Sequence, residues 1–395
     1  MKISQINLET IPDSRGEETI EVVMVSGDLK VTSSVPAGKS KGKLEVFSVA
    51  SAIALSKLEG IKSEILNSDF SQVFEFDNFL KKIDGTPDKL NLGGNLILVL
   101  SICFTKLLAK SNNLQTYQLV GEMLEKTPQR FPYLYFNLIG GGLHAQDSLP
   151  LQEYILVTKF ASPSKGLEYA KLMVEKLRED ILNNFGEIRT GDEGTFSVKS
   201  ADPALGLEIL NRNLDDQNVS LALDAAASTF YNNGEYKIGE KAFNTMQLLD
   251  LYQDLSVKFP LLSIEDPFSE DDQQGFVKIC QTLKDKVWII GDDLTVTNKT
   301  LIQKAIAEKQ VTAVIIKPNQ IGSVSETLEA IKLAQENSLK IIVSHRSGET
   351  NDDFIADLAF GAQADGLKSG APTQPQRLVK YNRLIEIERE VRKDG

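Results

Sequence analysis

Cysteine, histidine and tryptophan are scarce: the 395 residues include two, two and one of them. Cys103 and Cys280 both sit in apolar surroundings (LSICFTKLL and FVKICQTL). Two such residues supply neither a disulfide framework nor a thiolate metal site, and they read as buried, reduced thiols. Positive charge is also in deficit. The 43 Lys+Arg against 55 Asp+Glu give a net charge of −12, which excludes the basic footprint that neutralises nucleic-acid phosphates. No nucleic-acid partner is expected. The N-terminal MKISQINLETIPDSRGEE lacks the apolar core of a signal peptide, and apolar stretches elsewhere read as shorter than the roughly 18 residues of a membrane span. A cytoplasmic protein with no membrane partner is expected. Disorder is excluded too, because 42% hydrophobic and 25% charged residues are ordinary for a chain that buries a core.

The first segment alternates apolar and polar residues through Ile20–Val25, turns at Ser26-Gly27-Asp28 and resumes at Leu29–Val31, the pattern of a β-hairpin. From Val46 to Met123 the apolar spacing is helical. The helix-breaking Thr127–Pro132 marks a boundary, so residues 1–127 are expected to form a small α+β domain and 128–395 a second one.

In that second part, short and almost fully apolar runs each end in a charged or titratable residue. LALD ends at Asp224, LLSIED holds Glu265, VWIIGDD holds Asp292, AVIIK ends at Lys317, IIVSH at His345 and ADGLK at Lys368. The spacings of 23 to 41 residues fit one strand, one loop and one covering helix. One such helix is expected from Ser323 to Asn337, opened by the capping pair Ser323 and Glu326. Continuous apolar strands in repeated β/α units indicate a parallel sheet covered on both sides. Repetition over more than 150 residues favours closure into an α/β barrel of the TIM type, whose active site lies at the C-terminal strand ends.

Asp224, Glu265 and Asp292 end consecutive units, and clustered acids of this kind suit a hard divalent cation such as Mg²⁺. Lys317 and Lys368 emerge from apolar strands, where burial and a nearby dication favour the neutral amine of a general base. Carboxylates facing lysines suit abstraction of a proton α to a carboxylate, with the metal stabilising the resulting charge. The two histidines, His144 and His345, both lie in glycine-containing segments at strand ends. Arg346 and Ser347, beside His345, match a phosphate by bidentate and single hydrogen bonds.

Longer strings give a specific resemblance. DSRGEETIEV, NLGGNLIL, FNLIGGGLHAQDSLPLQEY, GDEGTF, ALDAAASTFY, SIEDPFSEDD, GDDLTVTN, IIKPNQIGSVSETLEAIKLAQ, VSHRSGETNDDFIADLAFG, LKSGAP and RLVKYNRLIEIE resemble the enolase family in family order over nearly the whole chain. The resemblance implies an α/β fold with an N-terminal α+β domain and a modified TIM-type barrel. It also implies the conversion of 2-phosphoglycerate to phosphoenolpyruvate with two Mg²⁺. It makes Lys317 the base, Glu193 the acid, Glu153 a partner in the acid-side network, and His144 a residue that closes over the substrate. His345 stands beside the phosphate ligands Arg346 and Ser347, while Gln152 and Lys368 bind substrate. Asp224, Glu265 and Asp292 hold the first magnesium, and Ser40 brings the second. A homodimer or larger homo-oligomer is implied, with Arg15 and an acid near Glu388 similar to the family's interface pair.

The sequence departs from the family in its loops. Ala37-Gly38-Lys39-Ser40-Lys41-Gly42 stands where the family has SGAST and a glycine, and DEGTFSV replaces DEGGFAP. Lys39 and Lys41 either contact ligand or merely solvate the loop, and solvation is the expectation. Two alternatives remain open from the sequence: an enolase-like enzyme for another acid with an α-proton, and a noncatalytic binding protein.

Overall fold

A computed structural model describes residues 1–39, 42–145 and 148–393. The chain opens with an antiparallel sheet of β1 (Gln5–Pro12), β2 (Glu18–Ser26) and β3 (Leu29–Ser34), in the order β1-β2-β3. The expected hairpin is β2–β3, with Ser26 paired to Leu29 across the turn. β1 carries too few apolar residues to announce itself: only Ile6 is fully buried along QINLETIP. Ile20, Val22 and Met24 alternate inward along β2 and are wholly buried, as a half-solvated sheet requires.

Four helices follow: α1 (Ser51–Leu66), α2 (Val73–Asp84), α3 (Gly94–Ser111) and α4 (Thr116–Met123). α3 corrects the expectation that apolar stretches are too short for a membrane. It has 18 residues of mean hydropathy 1.4, long and apolar enough to cross one. Here 78% of it is buried within the protein, as the core helix against β2, β3 and the second domain. Both cysteines are free and buried, Cys103 on α3 among them.

The barrel begins with β4 (Tyr133–Gly140) and β5 (Glu153–Thr158). After α5 (Pro163–Phe185), the short pair β6 (Arg189–Thr190) and β7 (Phe196–Ser197) flanks β4. Then come α6 (Leu205–Arg212), β8 (Val219–Asp224), a small meander of β9 (Tyr231–Asn232), β10 (Glu235–Ile238) and β11 (Lys241–Phe243), and α7 (Thr245–Lys258). The regular β/α units are β12 (Leu261–Glu265), α8 (Gln273–Leu283), β13 (Trp288–Gly291), α9 (Lys299–Ala307), β14 (Ala313–Ile316), α10 (Pro318–Ile321), α11 (Val324–Glu336), β15 (Lys340–Ser344), α12 (Phe354–Gly361), β16 (Gly366–Lys368) and α13 (Pro375–Lys393).

Strands β4, β5, β8 and β12 to β16 are hydrogen-bonded in that order, and β16 pairs with β4 to close the barrel. Closure is as expected, but the sheet is not all parallel: β5 runs antiparallel to both β4 and β8. Inside the barrel, Ile155, Val157, Ala222, Ile290, Ala313, Ile315 and Ile342 pack together with Tyr135. Their strand neighbours Leu156, Leu221, Val314 and Val343 face outward to the helices and join the larger core. This period-two division fills the interior. Ser323 caps α11 by accepting from Glu326 N, as its spacing predicts.

Candidate active site

Register places the functional side chains at one mouth of the barrel. Asp224 and Glu265 are the last residues of β8 and β12 and stand opposite one another in the ladder. Glu153 stands opposite Asp224 on the other side. Because β5 is antiparallel, its first residue rather than its last arrives at the mouth. Lys368 ends β16, His345 follows β15, Lys317 follows β14 and Asp292 follows β13. Glu153, Asp224, Asp292, Lys317, His345 and Lys368 line one cleft with His144, Gln152, Glu193, Arg346 and Ser347. Ser40 lies outside the described residues.

The charges sort into a chain of contacts. Lys368 Nζ is 2.7 Å from Glu265 Oε2, 2.8 Å from Glu153 Oε2 and 3.1 Å from Asp224 Oδ2. Burial opposes the charge of this ammonium, but Asp224, Glu153 and Glu265 more than compensate and hold its pKa well above the lysine range. Burial likewise pushes Glu153 up, yet Lys368 and His144 bring it down to about 2. In Glu265 burial and the Asp224 charge prevail and its carboxyl is raised well above the usual range; Asp224 is raised by burial and by the charges of Glu153 and Asp292, against the pull of Lys368. Lys317 Nζ bonds Asp292 Oδ2, and Gln320 Nε2 donates to Asp292 Oδ1 at 2.9 Å. Burial works against Lys317, but Asp292 raises it, so in this arrangement the lysine is an ammonium.

A second group surrounds Glu193. This buried residue has φ 63° and ψ 12°, a left-handed backbone that costs a non-glycine residue about 1 kcal/mol and concentrates at functional sites. Its Oε2 accepts from Asn137 Nδ2 at 3.2 Å and lies 3.4 Å from His345 Nε2. Burial raises its pKa, but His144, Arg377 and Lys368 outweigh that and lower it. His144 Nδ1 is 3.3 Å from Glu153 Oε1. Burial opposes charge on its ring, but Glu193 and Glu153 raise the pKa to about 9. His345 is the opposite case: burial and the adjacent Arg377 push it well below its ordinary value, so its ring is neutral.

Arg346 is held by Glu45 in a bidentate pair, both bonds 3.0 Å, and also donates to Asn319 Oδ1 at 2.9 Å. Ser347 Oγ accepts from Lys39 N at 2.7 Å. Gln152 Nε2 reaches Asp224 Oδ2 at 3.5 Å.

Comparison with known proteins matches nearly the whole chain. Residues 129–395 match the family described as "Enolase, C-terminal TIM barrel domain" and residues 3–120 match "Enolase, N-terminal domain". An enolase of Sulfurisphaera tokodaii is 39% identical, covering 98% of this chain and 95% of the relative. The chain belongs to the enolase family.

Other enolases are similarly close in length and order: that of Ehrlichia ruminantium is 35% identical over 98% of this chain and 96% of its own, and that of Methanopyrus kandleri 35% over 99% and 96%. Membership makes the protein a lyase of the enolase type, and the mixed strand directions belong to its enolase C-terminal barrel.

An enolase-type metal site needs oxygen donors, and the residues present fit one. Asp224, Glu265 and Asp292 are all buried carboxylates, and among the described residues Glu265 Oε1 has no hydrogen-bond partner. That is an orphaned acceptor suited to a hard cation. Among the described residues, the groups whose ligand atoms all lie within 4.8 Å of one another are two different ones, His144–Glu153–Glu193 and Asp266–Asp292–Asp293. Asp266 and Asp293 were not singled out in the sequence, although both are the second acid of a doubled motif, SIED and GDD. Asp266 accepts from the backbone N of Asp292 and Asp293 at 2.9 and 2.8 Å, so it sets the position of the strand end beside it.

Lys41 lies outside the described residues, and Lys39 is exposed, as expected of a solvated lysine, with partners on neighbouring loops. Its Nζ is 2.8 Å from Asp192 Oδ2 and donates to Leu143 O at 3.0 Å. Arg15 and Glu388, similar to an enolase interface pair, both have partners within the chain: Arg15 holds Asp13 and Glu17, and Glu388 meets Arg392 and Ser164.

Proposed function

We propose that this member of the enolase family is a Mg²⁺-dependent phosphopyruvate hydratase, interconverting 2-phosphoglycerate with phosphoenolpyruvate and water. The observation that carries the reading is the convergence of an amine, an acid and two cations on one buried cleft: Lys317, Glu193, Lys368 and Arg346. In this reading Lys317 takes the proton from C2. It acts as a base only when the charge of Asp292 is engaged by another partner, because their mutual contact keeps the lysine protonated. Glu193 gives a proton to the departing C3 hydroxyl. An anionic substrate in the cleft offsets the cations that hold Glu193 low and so favours its acid form. Asn137 and His345 keep that carboxyl oriented, and His144 with Glu153 borders it.

Arg346 and Ser347 receive the phosphate, with Glu45 yielding or sharing the guanidinium. Lys368 and Gln152 face the substrate carboxylate. Asp224, Glu265 and Asp292 would hold Mg²⁺, with Ser40 bringing a second ion. That metal supplies stabilisation of the negative charge that builds on the substrate carboxylate. The reading carries with it a cytoplasmic location and a homodimer or larger homo-oligomer.

Isotope exchange separates the two roles. Lys317→Ala is expected to lose exchange of the C2 proton of 2-phosphoglycerate with D₂O together with turnover. Glu193→Gln is expected to keep exchange while losing dehydration. A Lys317→Ala enzyme that exchanges the proton at the wild-type rate would sink the assignment.

A further inference from the structure

Arg377 is among the largest fully buried side chains in the molecule. Among the described residues no carboxylate pairs with it, which is unusual for a buried guanidinium. Five N–H groups need acceptors, and each finds one. Nη1 meets His345 Nδ1 at 2.5 Å and donates to Arg346 O at 2.6 Å. Nη2 donates to Ser347 O at 2.6 Å and to Ser14 Oγ at 3.4 Å. Nε donates to Gln374 Oε1 at 3.4 Å. Three of the five bonds fall on consecutive residues 345–347, where the phosphate ligands of the proposed reaction lie.

Because arginine has no acceptor, the contact with His345 fixes the ring chemistry. Nδ1 must carry the lone pair, and the ring proton is then on Nε2, which lies 3.4 Å from Glu193 Oε2. A neutral imidazole with the proton on Nδ1 would set two donors against each other. The fold makes room for this pair at Gly370, with φ +73°. A Cβ there would lie 3.1 Å from both Arg377 Cδ and His345 Cε1. Neighbouring side chains of α13 brace the same turn: Lys380 Nζ is 2.7 Å from Glu349 Oε2, and Glu349 Oε1 accepts from Arg346 N at 3.1 Å.

We propose that Arg377 is a positioning residue that locks His345 in the Nε2–H tautomer facing Glu193 while clamping the carbonyls of Arg346 and Ser347. It acts through these residues and lies behind the cleft rather than in it. The catalytic part of the inference rests on the function proposed above; the tautomer part does not.

Nitrogen-15 labelling of histidine gives a direct test, since the chain has only two histidine rings to assign. The wild-type protein is expected to show His345 with an unprotonated Nδ1 and a protonated Nε2. Arg377→Met is expected to let the ring populate both tautomers and to raise KM for 2-phosphoglycerate about tenfold, while Arg377→Lys, which keeps a donor, restores the tautomer. An Nδ1–H tautomer in the wild type, or an unaltered Nε2–H ring in Arg377→Met, would overturn the proposal. The wild-type measurement needs no variant to fold. A locked tautomer in a protein that does not dehydrate 2-phosphoglycerate upholds Arg377 and removes the functional reading instead.

Discussion

The ammonium of Lys317 and the carboxylate of Asp292 hold one another at the barrel mouth, so each occupies the other's proposed working group. A divalent cation at Asp292 competes with the lysine. Lys317→Ala is therefore expected to do two things at once. Turnover falls by roughly 10² to 10⁴, the contribution of a general base, while Mg²⁺ binds more tightly, by about threefold to tenfold, because its competitor is gone. Calorimetric titration with Mg²⁺ beside a rate assay checks both. Weaker Mg²⁺ binding in the variant would mean that the two cations do not share Asp292.

Metal removal has a stability signature. Lys368 satisfies one oxygen of Glu265, and among the described residues the other has no hydrogen-bond partner, so a bound cation stabilises the native state by mass action. At a concentration about 100 times its dissociation constant, that amounts to roughly 2.7 kcal/mol. Mg²⁺ is expected to raise the Tm of the wild type, EDTA to reverse it, and Glu265→Gln to remove most of the increment. An equal increment in wild type and variant would exclude Glu265 as a ligand.

Much of the site was legible because barrel strands are apolar runs that stop at the mouth. Asp224, Glu265, Asp292, Lys317, His345 and Lys368 announce themselves by ending such runs. Glu153 does not, since it begins a strand, and only the antiparallel direction of β5 brings it to the same end. Glu193 belongs to no long strand; its placement comes from a left-handed backbone that no periodicity encodes. Arg377 lies on the C-terminal helix, where no strand end or apolar run marks it. Nothing in its neighbourhood tells that the side chain turns inward to His345. α3 carried the opposite hazard: a membrane-like stretch that the two-domain packing covers.

Lys39 ties together three loops. Its ammonium joins Leu143, next to His144, and Asp192, next to Glu193, while its backbone meets Ser347. The pair with Asp192 is about half exposed, so its own worth is at most about 1 kcal/mol. Lys39→Met is expected to raise KM for 2-phosphoglycerate by about twofold to fivefold with little change in kcat, and Lys39→Arg to recover the loss. The difference should shrink at high salt, where exposed charges are screened. A salt-independent defect would point to packing instead.

Asp77 couples the domains and gives a pH dependence. Its Oδ2 accepts from Ser325 N at 2.8 Å, at the start of α11, and among the described residues its Oδ1 has no hydrogen-bond partner. Burial raises its pKa to about 6 from a usual 3.8. The folded protein thus binds the proton more tightly than the unfolded chain, and stability is fully present below about pH 4 and lost as pH rises through about 6. The loss is of the order of 3 kcal/mol. Asp77→Asn removes this penalty, so its Tm relative to wild type should climb between pH 4 and pH 7. A constant difference across that range would show that Asp77 does not titrate there.

The most direct test of the whole account is ultraviolet absorbance of the purified protein mixed with 2-phosphoglycerate, with Mg²⁺ and with EDTA. The account predicts a rise at the phosphoenolpyruvate band that requires Mg²⁺ and vanishes in Lys317→Ala. A flat trace from a folded, magnesium-binding protein would contradict it.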